Sequence, residues 1–110
     1  MDSWGVESGV ANAYIAQTNV KYDAANWQKS IGTQKWLALY NRGYDAWTEW
    51  RRLDFPVFTP ATGALSGIPV RYTYPPQEQS LNNANYTEAA SAIGGDRVET
   101  RLFWDKKDQQ

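Results

Sequence analysis

The sequence predicts a mainly α-helical fold with long irregular loops, and three observations lead to this prediction. Apolar and aromatic residues recur three or four positions apart over residues 34–53, which is the period of an amphipathic helix. All five prolines fall within residues 56–76, so no helix can continue through that stretch. The alternation that is typical of strands is confined to short segments. We therefore expect about four helices, a proline-rich loop and short extended segments.

The first predicted helix covers residues 9–18. Val10 and Tyr14 are four positions apart, so they fall on one side of it. Ser8 comes just before the helix and can serve as its N-cap, because its hydroxyl can accept a hydrogen bond from a backbone N–H of the first turn. A short helix is therefore expected near the start of the chain.

The second and third predicted helices lie on either side of Gly43. Asp23 can cap the second helix, whose apolar side then continues to Asn41. Glycine at this position either ends a helix in the left-handed conformation or permits a kink within a longer one. We favour two helices with a tight break between them, since Asp45 can cap the later one.

An aromatic stripe is the main feature of these two helices. Its members are four, three, four and three positions apart: Trp36, Tyr40, Gly43, Trp47 and Trp50. The opposite side is largely polar, which is typical of a helix half sunk in a core. A buried aromatic side chain covers about 150–250 Å². We therefore interpret the tryptophans of the stripe as core residues and not as a sugar-binding surface.

The rest of the chain divides into a loop and a short helical part. Residues 54–76 are predicted to form a proline-rich loop, because proline fixes φ and lacks a backbone donor. Pro76 suits the first turn of a short helix. Asn82 or Asn83 can cap a further helix that Gly94 ends. Alternating residues beyond it predict an extended tail, so that residues 77–107 form a short helical region and a tail.

The composition excludes several classes of site. The chain has no histidine and no cysteine, so thiolate or imidazole zinc sites, Cys-His and Ser-His nucleophiles and disulfides cannot form within it. The net charge is −1 with mixed signs, which argues against a nucleic-acid partner. No run of about 18 apolar residues is present to span a membrane. We expect neither a metal nor a cofactor.

A carboxylate pair is the enzymatic possibility that remains, as in glycoside hydrolysis. Asp45 and Glu49 are four positions apart and would share a helix face. However, Arg42 and Arg52 each lie three positions from one of these carboxylates, so ordinary helical ion pairs explain them more simply. We predict that the protein is not an enzyme.

Arg51 and Arg52 have different expected roles. Neighbouring helical residues point about 100° apart, so only one of the two can follow the side of Trp47. We expect one guanidinium to stack on an aromatic ring or bond loop carbonyls, and the other to be solvated. The alternative is a site for an anion or a uronic acid.

Three ordered blocks of this sequence resemble the C-terminal region of SusD/RagB-type outer-membrane lipoproteins. They are QKWLALYNRGYDAWTEWRR, IPVRYTYPPQEQSLNNANY and GGDRVETRLFWDK. The motif residues to which we give a structural role are Trp36, Tyr40, Trp47, Glu49, Arg51, Arg52, Arg71, Tyr74, Pro75 and Glu78. Leu53 and Phe103 depart from the pattern, which often has glycine and tryptophan there.

The resemblance implies a function that is binding and delivery. Residues 1–110 would form one C-terminal region of a longer protein, lipid-anchored through its missing N-terminal part on the extracellular face of the outer membrane. Such proteins pass an oligosaccharide or another nutrient to a SusC-type TonB-dependent transporter. The alternative is a structural or transporter-docking module, with ligand recognition in the missing N-terminal region. Without that region, we expect an exposed apolar patch or self-association.

The motifs also suggest roles for individual residues. Arg71 and Glu78 flank Tyr74 and Pro75, and we expect Arg71 to bond Glu78 or backbone carbonyls as a structural clamp. Aromatic residues off the stripe are the candidates for contacts with a ligand: Phe55, Phe58 and Tyr72. No residue inherits a binding role from the motifs themselves.

Overall fold

The computed structural model describes residues 4–105, which contain five helices and no strand. The helices are α1 (Ser8–Ile15), α2 (Trp27–Ala38), α3 (Gly43–Leu53), α4 (Pro76–Leu81) and α5 (Asn83–Ala92). The predicted α-helical class is confirmed. The last residues of the predicted tail, 106 and 107, lie outside the described part. The chain divides into two units, Met1–Val57 and Phe58–Gln110.

The predicted break before the third helix is present. The backbone N–H of Arg42 donates to the Leu39 carbonyl over 2.8 Å, and α3 begins at Gly43. The prediction that Asp45 caps α3 was wrong, because the N-cap is Arg42. Asp45 instead lies in the first turn, where its carboxylate pairs with Arg42 over 2.6 Å.

Helices α2 and α3 pack closely because α2 carries a glycine at the contact. Gly32, Ala46 and Leu53 are buried. A Cβ added at Gly32 would lie 2.9 Å from the Cβ of Phe55 and 3.3 Å from that of Leu53. The first distance would force a shift of the chain at Phe55, and the second is tighter than ordinary packing. The absence of a side chain at position 32 therefore brings α2 against the C-terminal end of α3.

The end of α3 is fixed by a turn and a side-chain hydrogen bond. Asp54 adopts the left-handed conformation, with φ of 59°, and serves as the C-cap. The Trp50 indole N–H donates to the Pro56 carbonyl over 3.0 Å. Leu53 remains helical and buried, since the residue with positive φ is the next one along.

The aromatic stripe is only partly buried. Trp36, Trp47 and Trp50 were predicted to be core residues, but each is only half-buried. Tyr40 is 88% exposed, so its predicted place on the buried face was wrong. The physical reason is that α2 ends at Ala38, and the turn that follows rotates Tyr40 away from the stripe.

The second unit follows the predicted order of loop, helices and tail. No helix lies between Leu53 and Pro76, and α4 begins at that proline as expected. The tail differs from the prediction, because turns interrupt it at residues 98–99 and 103–104. The N–H of Thr100 bonds the Arg97 carbonyl over 3.1 Å, and that of Asp105 bonds the Leu102 carbonyl over 2.9 Å.

None of the helices within residues 4–105 combines the length and the apolar character that a membrane crossing requires.

Candidate functional site

An open groove of about 410 Å³ runs along one face of α2. Five of its residues come from successive turns of that helix and two from the segment that follows α1. The lining residues are Val20, Tyr22, Ser30, Ile31, Gln34, Lys35 and Ala38. Tyr22 is 60% exposed, so its ring is available on one wall. A volume of this size falls in the range of small-molecule sites, about 300–1,000 Å³.

Hydrogen bonds hold the walls of this groove in place. The Tyr14 hydroxyl on α1 donates to Oε1 of Gln34 over 2.8 Å, which ties α1 to α2. The backbone N–H of Asp23 donates to Oγ of Ser30 over 3.1 Å. Asp23 therefore organises the segment before α2, although the helix itself begins four residues later at Trp27.

An ionic network joins the groove to α3. Glu49 accepts from the Lys35 ammonium, 2.9 Å away, and from Arg52, 2.6 Å away. Hydrogen bonds from Lys35 first and Arg52 second lower the pKa of Glu49. The Arg52 pair is the predicted i,i+3 contact, whereas the Lys35 pair crosses between helices. The Glu49 carboxylate is thus held in its ionised form, and each of its oxygens pairs with a cation.

The Glu49 network should make stability depend on acid pH. A folded-state pKa below the unfolded value means that the stabilisation is present at neutral pH and is lost as pH falls through the folded-state pKa. Chemical denaturation of wild type and Glu49→Gln from pH 7 to pH 3 measures this. We expect the difference in unfolding free energy between the two proteins to shrink once the pH falls below 4.5, the ordinary pKa of glutamate. A difference that stays constant with pH would contradict the assignment.

The loop before α4 is fastened to the segment after α5 along its length. Glu99 accepts from the Gly67 N–H over 2.7 Å, and this bond lowers the pKa of Glu99. The N–H groups of Val70 and Arg71 both donate to the Val98 carbonyl, over 2.8 and 3.2 Å. We call residues 67–74 the clamped segment. Its backbone is held at several points on residues 96–99.

A buried ion pair completes this attachment. Arg71 pairs with Asp96 over 2.9 Å, and their side chains are 7% and 5% exposed. Asp96 also accepts the backbone N–H of Tyr74, over 3.1 Å to one oxygen and 3.2 Å to the other. The rings of Tyr74 and Tyr86 meet edge to face at 5.9 Å. Burial and the neighbouring Asp96 raise the pKa of Tyr86.

Of the two predicted kinds of partner for Arg71, Glu78 or backbone carbonyls, Glu78 was therefore wrong. Glu78 accepts from the side-chain amide of Asn82, 2.9 Å away on the exposed side of α4, and the buried carboxylate is that of Asp96. The second and third motif blocks thus meet in one cluster, where Arg71, Tyr74, Tyr86 and Asp96 hold the clamped segment. This arrangement is structural, since its polar groups bond each other.

Arg51 and Arg52 diverge as the sequence predicts. The Arg51 guanidinium carbon lies 3.9 Å from the centre of the Trp47 ring. Arg52, with its side chain 51% exposed, pairs with Glu49. Within residues 4–105, no group of acidic side chains is placed to hold a metal ion.

The sequence-predicted candidates for ligand contacts fall in both units. Phe55 is half-buried beside Gly32 of α2. Phe58, also half-buried, and Tyr72, 70% exposed, belong to the second unit. Tyr72 lies within the clamped segment, so its backbone is well fixed. Of the three, Tyr72 presents most of its surface.

The α2 groove was not predicted from the sequence. In the sequence, Gln34 and Lys35 are polar residues next to the aromatic stripe. Tyr22 precedes the region in which apolar residues recur at helical spacing. An aromatic residue outside a periodic pattern was the available signal. It does not reveal a groove, because the second wall depends on how the chain turns between α1 and α2.

A family model described as SusD-like, starch-binding and associating with the outer membrane matches residues 1–75. The chain belongs to the SusD-like family. The match covers α1, α2 and α3 and ends one residue beyond the clamped segment. No curated protein matches the chain.

A solved structure of the same SusD-like kind supports the assignment. The protein described as Bacteroidetes AC2a SusD-like is 34% identical to this chain and superposes with a TM-score of 0.79. The similarity covers 93% of this chain but only 21% of that one. The SusD-like chain described here thus spans about a fifth of the length of that relative.

Proposed function

We propose that this protein belongs to a nutrient-binding system of the bacterial outer membrane and takes part in the capture of an oligosaccharide. The single observation that supports this most is the similarity to a SusD-like structure, 34% identical over 93% of the chain. The family description, starch-binding and associating with the outer membrane, indicates the ligand class and the location.

The partner and the membrane attachment form the finer part of the proposal. The protein acts beside a SusC-type TonB-dependent transporter, to which the ligand is delivered. Attachment to the extracellular face of the outer membrane is through a lipid anchor outside these 110 residues. Both features come from the sequence resemblance, and the family description supports only the association with the outer membrane.

Binding without chemistry is favoured by the state of the carboxylates. Glu49 is held by two cations, and Asp45 by Arg42. A glycosidase acid or base must be available to its substrate, with a second carboxyl group at a set distance. The ion pairs give both side chains a structural role instead.

The second candidate is a structural or transporter-docking module. It is favoured by the fact that the chain spans only 21% of the solved relative, so recognition could lie elsewhere in a longer protein. Saccharide binding by a longer SusD-like chain carrying these residues, without binding by the 110 residues alone, would support it.

Calorimetric titration with maltotriose and maltohexaose tests the proposed function. We expect saturable binding, and we expect Tyr72→Ala to weaken it by about 2- to 10-fold through loss of ring packing, a contribution of about 0.5–1.5 kcal/mol. Tyr44→Ala is the matched control, because Tyr44 is 77% exposed but lies outside the clamped segment.

Three results would weaken different parts of this proposal. Absence of binding to any member of a glycan array, by this chain and by a longer one, would contradict the function. Equal affinity of wild type and Tyr72→Ala would remove Tyr72 as a contact. A Tyr44→Ala variant as weak as Tyr72→Ala would show that exposed tyrosines contribute without a specific site.

A further inference from the structure

We propose that Glu99 is a pH-dependent latch for the loop that precedes the clamped segment. In its ionised form the Glu99 carboxylate holds the N–H of Gly67, at the start of that segment. Protonation of Glu99 weakens this bond and releases the loop, while the rest of the clamped segment stays attached. The inference goes beyond the proposed function, because it concerns how one surface of the protein responds to acid.

The loop that this latch holds covers residues 59–66. Every residue in it is exposed, and none carries a charge. The Ala64 N–H donates to the Ala61 carbonyl over 3.0 Å, which forms a turn, and Leu65 beside that turn is completely exposed. Half-buried Phe58 precedes the loop and Gly67 follows it. The shape of the loop therefore depends strongly on how its two ends are fastened.

Glycine at position 67 allows the carboxylate to approach closely. The distance from the Gly67 nitrogen to Oε1 of Glu99 is 2.7 Å, at the short end of the range for such hydrogen bonds. A Cβ at position 67 would lie 3.0 Å from Cγ of Glu99 and 3.4 Å from its Oε1. A larger residue would therefore push the glutamate side chain aside, so this glycine and this glutamate fit each other.

The middle of the clamped segment is held by a group that does not titrate. The backbone N–H groups of Val70 and Arg71 both donate to the Val98 carbonyl, over 2.8 and 3.2 Å. A backbone carbonyl gains no proton between neutral and acid pH. Loss of the Glu99 bond would thus free the chain only as far as Val70.

The far end of the clamped segment is held by a second carboxylate with a different environment. Asp96 is paired with the buried guanidinium of Arg71, 2.9 Å away, and also accepts the backbone N–H of Tyr74. Tyr72 lies between these two contacts in the sequence. We therefore expect acid to change the loop at residues 59–66 before it displaces Tyr72.

The groups around Glu99 determine the direction of its titration. The hydrogen bond from Gly67 lowers the pKa of Glu99 most, followed by its own backbone N–H; burial opposes them, and Arg97 adds a small lowering effect. The charged residue of the clamped segment, Arg71, is already paired with Asp96. The two tyrosines of that segment are neutral in acid. A lowered folded-state pKa means that the latch is closed at neutral pH and opens as pH falls through a value below 4.5, the ordinary pKa of glutamate.

The amide signal of Gly67 reports the latch directly. Proton–nitrogen correlation NMR of the labelled chain from pH 7 to pH 3 measures it. We expect the Gly67 amide proton to move upfield with a midpoint below 4.5, because the hydrogen bond to an ionised acceptor is lost. The amides of residues 59–66 should become less ordered over the same pH range. The Tyr74 amide, bound to Asp96, should show a transition of its own.

The substitution Glu99→Gln removes the titration but keeps a side-chain oxygen in a side chain of the same shape. We expect the acid transition of Gly67 to disappear. Protection of the Gly67 amide against hydrogen exchange at pH 7 should fall by about 10-fold, since a neutral acceptor binds an N–H more weakly than a carboxylate does. Glu88→Gln makes the same change on the exposed side of α5, in the same unit, and should keep the transition.

The substitution Gly67→Ala tests the close fit from the other side of the contact. Its methyl group should displace the Glu99 side chain, because the added Cβ would lie 3.0 Å from Cγ. The carboxyl carbon signal of Glu99 should then titrate closer to 4.5 than in wild type.

Three results would overturn the proposal. They are the absence of an acid transition at Gly67 in wild type, a transition that persists in Glu99→Gln, and equal protection of the Gly67 amide in both proteins at pH 7. Far-UV circular dichroism at each pH separates release of the loop from unfolding. A Gly67 transition with the helical signal intact supports the latch, whereas loss of the helices at the same midpoint would show global unfolding and contradict it.

Discussion

Replacing Asp96 by alanine is expected to lower the free energy of unfolding by about 3–5 kcal/mol. Asp96 is the buried partner of Arg71, and it also accepts the backbone N–H of Tyr74. Its removal leaves a guanidinium that is 7% exposed without its carboxylate, and a buried charge without a partner is costly. Urea denaturation followed by far-UV circular dichroism measures the loss.

An exposed ion pair supplies the control for Asp96→Ala. Asp45 pairs with Arg42 over 2.6 Å, with side chains 50% and 70% exposed. Asp45→Ala should cost less than about 1 kcal/mol, because water screens such pairs. If the two substitutions have equal effects, the Arg71 cluster does not hold the clamped segment as we describe.

The second large effect is expected from Leu53→Ala, which should cost about 2–5 kcal/mol. Leu53 is 1% exposed, at the point where α3 meets Gly32 of α2. Truncation removes buried methyl groups and leaves a cavity that the close packing of the two helices cannot readily fill. Denaturation midpoints from tryptophan fluorescence provide the measurement, since Trp50 lies in the same helix.

Leu81→Ala is the matched control for Leu53→Ala. Leu81 is 86% exposed at the end of α4, and surface substitutions of this kind change stability by about 0.5 kcal/mol or less. A cost at Leu53 that is no larger than the cost at Leu81 would show that the α2–α3 contact contributes little to stability.

Local sequence rules predicted much of the fold because the signals are local. The start of α4 at Pro76 and the irregular loop between α3 and α4 follow from proline geometry. The i,i+3 pair of Arg52 with Glu49 follows from helical spacing alone. These features depend on a few neighbouring residues and are insensitive to tertiary structure.

Contacts that depend on how loops turn could not be predicted. Arg71 and Asp96 are 25 positions apart, and the intervening helices decide that they meet. Glu78 was the nearer acidic residue, but the direction of α4 points it at Asn82. Tyr40 was placed on the buried face by period alone, whereas the early end of α2 exposes it.

The candidate groove could not be predicted from the sequence for the same reason. Its α2 residues share a helix face that the sequence does reveal, but Val20 and Tyr22 reach it through turns after α1. Likewise, Lys35 meets Glu49 only because the two helices pack at Gly32. A periodic pattern predicts which residues lie on the same side of a helix. The tertiary structure determines which residues of other segments pack against that side.

The buried carboxylate of Asp96 follows two glycines with positive φ, 78° at Gly94 and 116° at Gly95. Any residue with a side chain would be strained at either position, even though neither site is crowded. Mutational tolerance at these two positions should therefore be low for a reason unrelated to space. In a library of variants, we expect the turn between α5 and Asp96 to tolerate only glycine at these two positions. Even alanine there would displace Asp96, to which the clamped segment is bound.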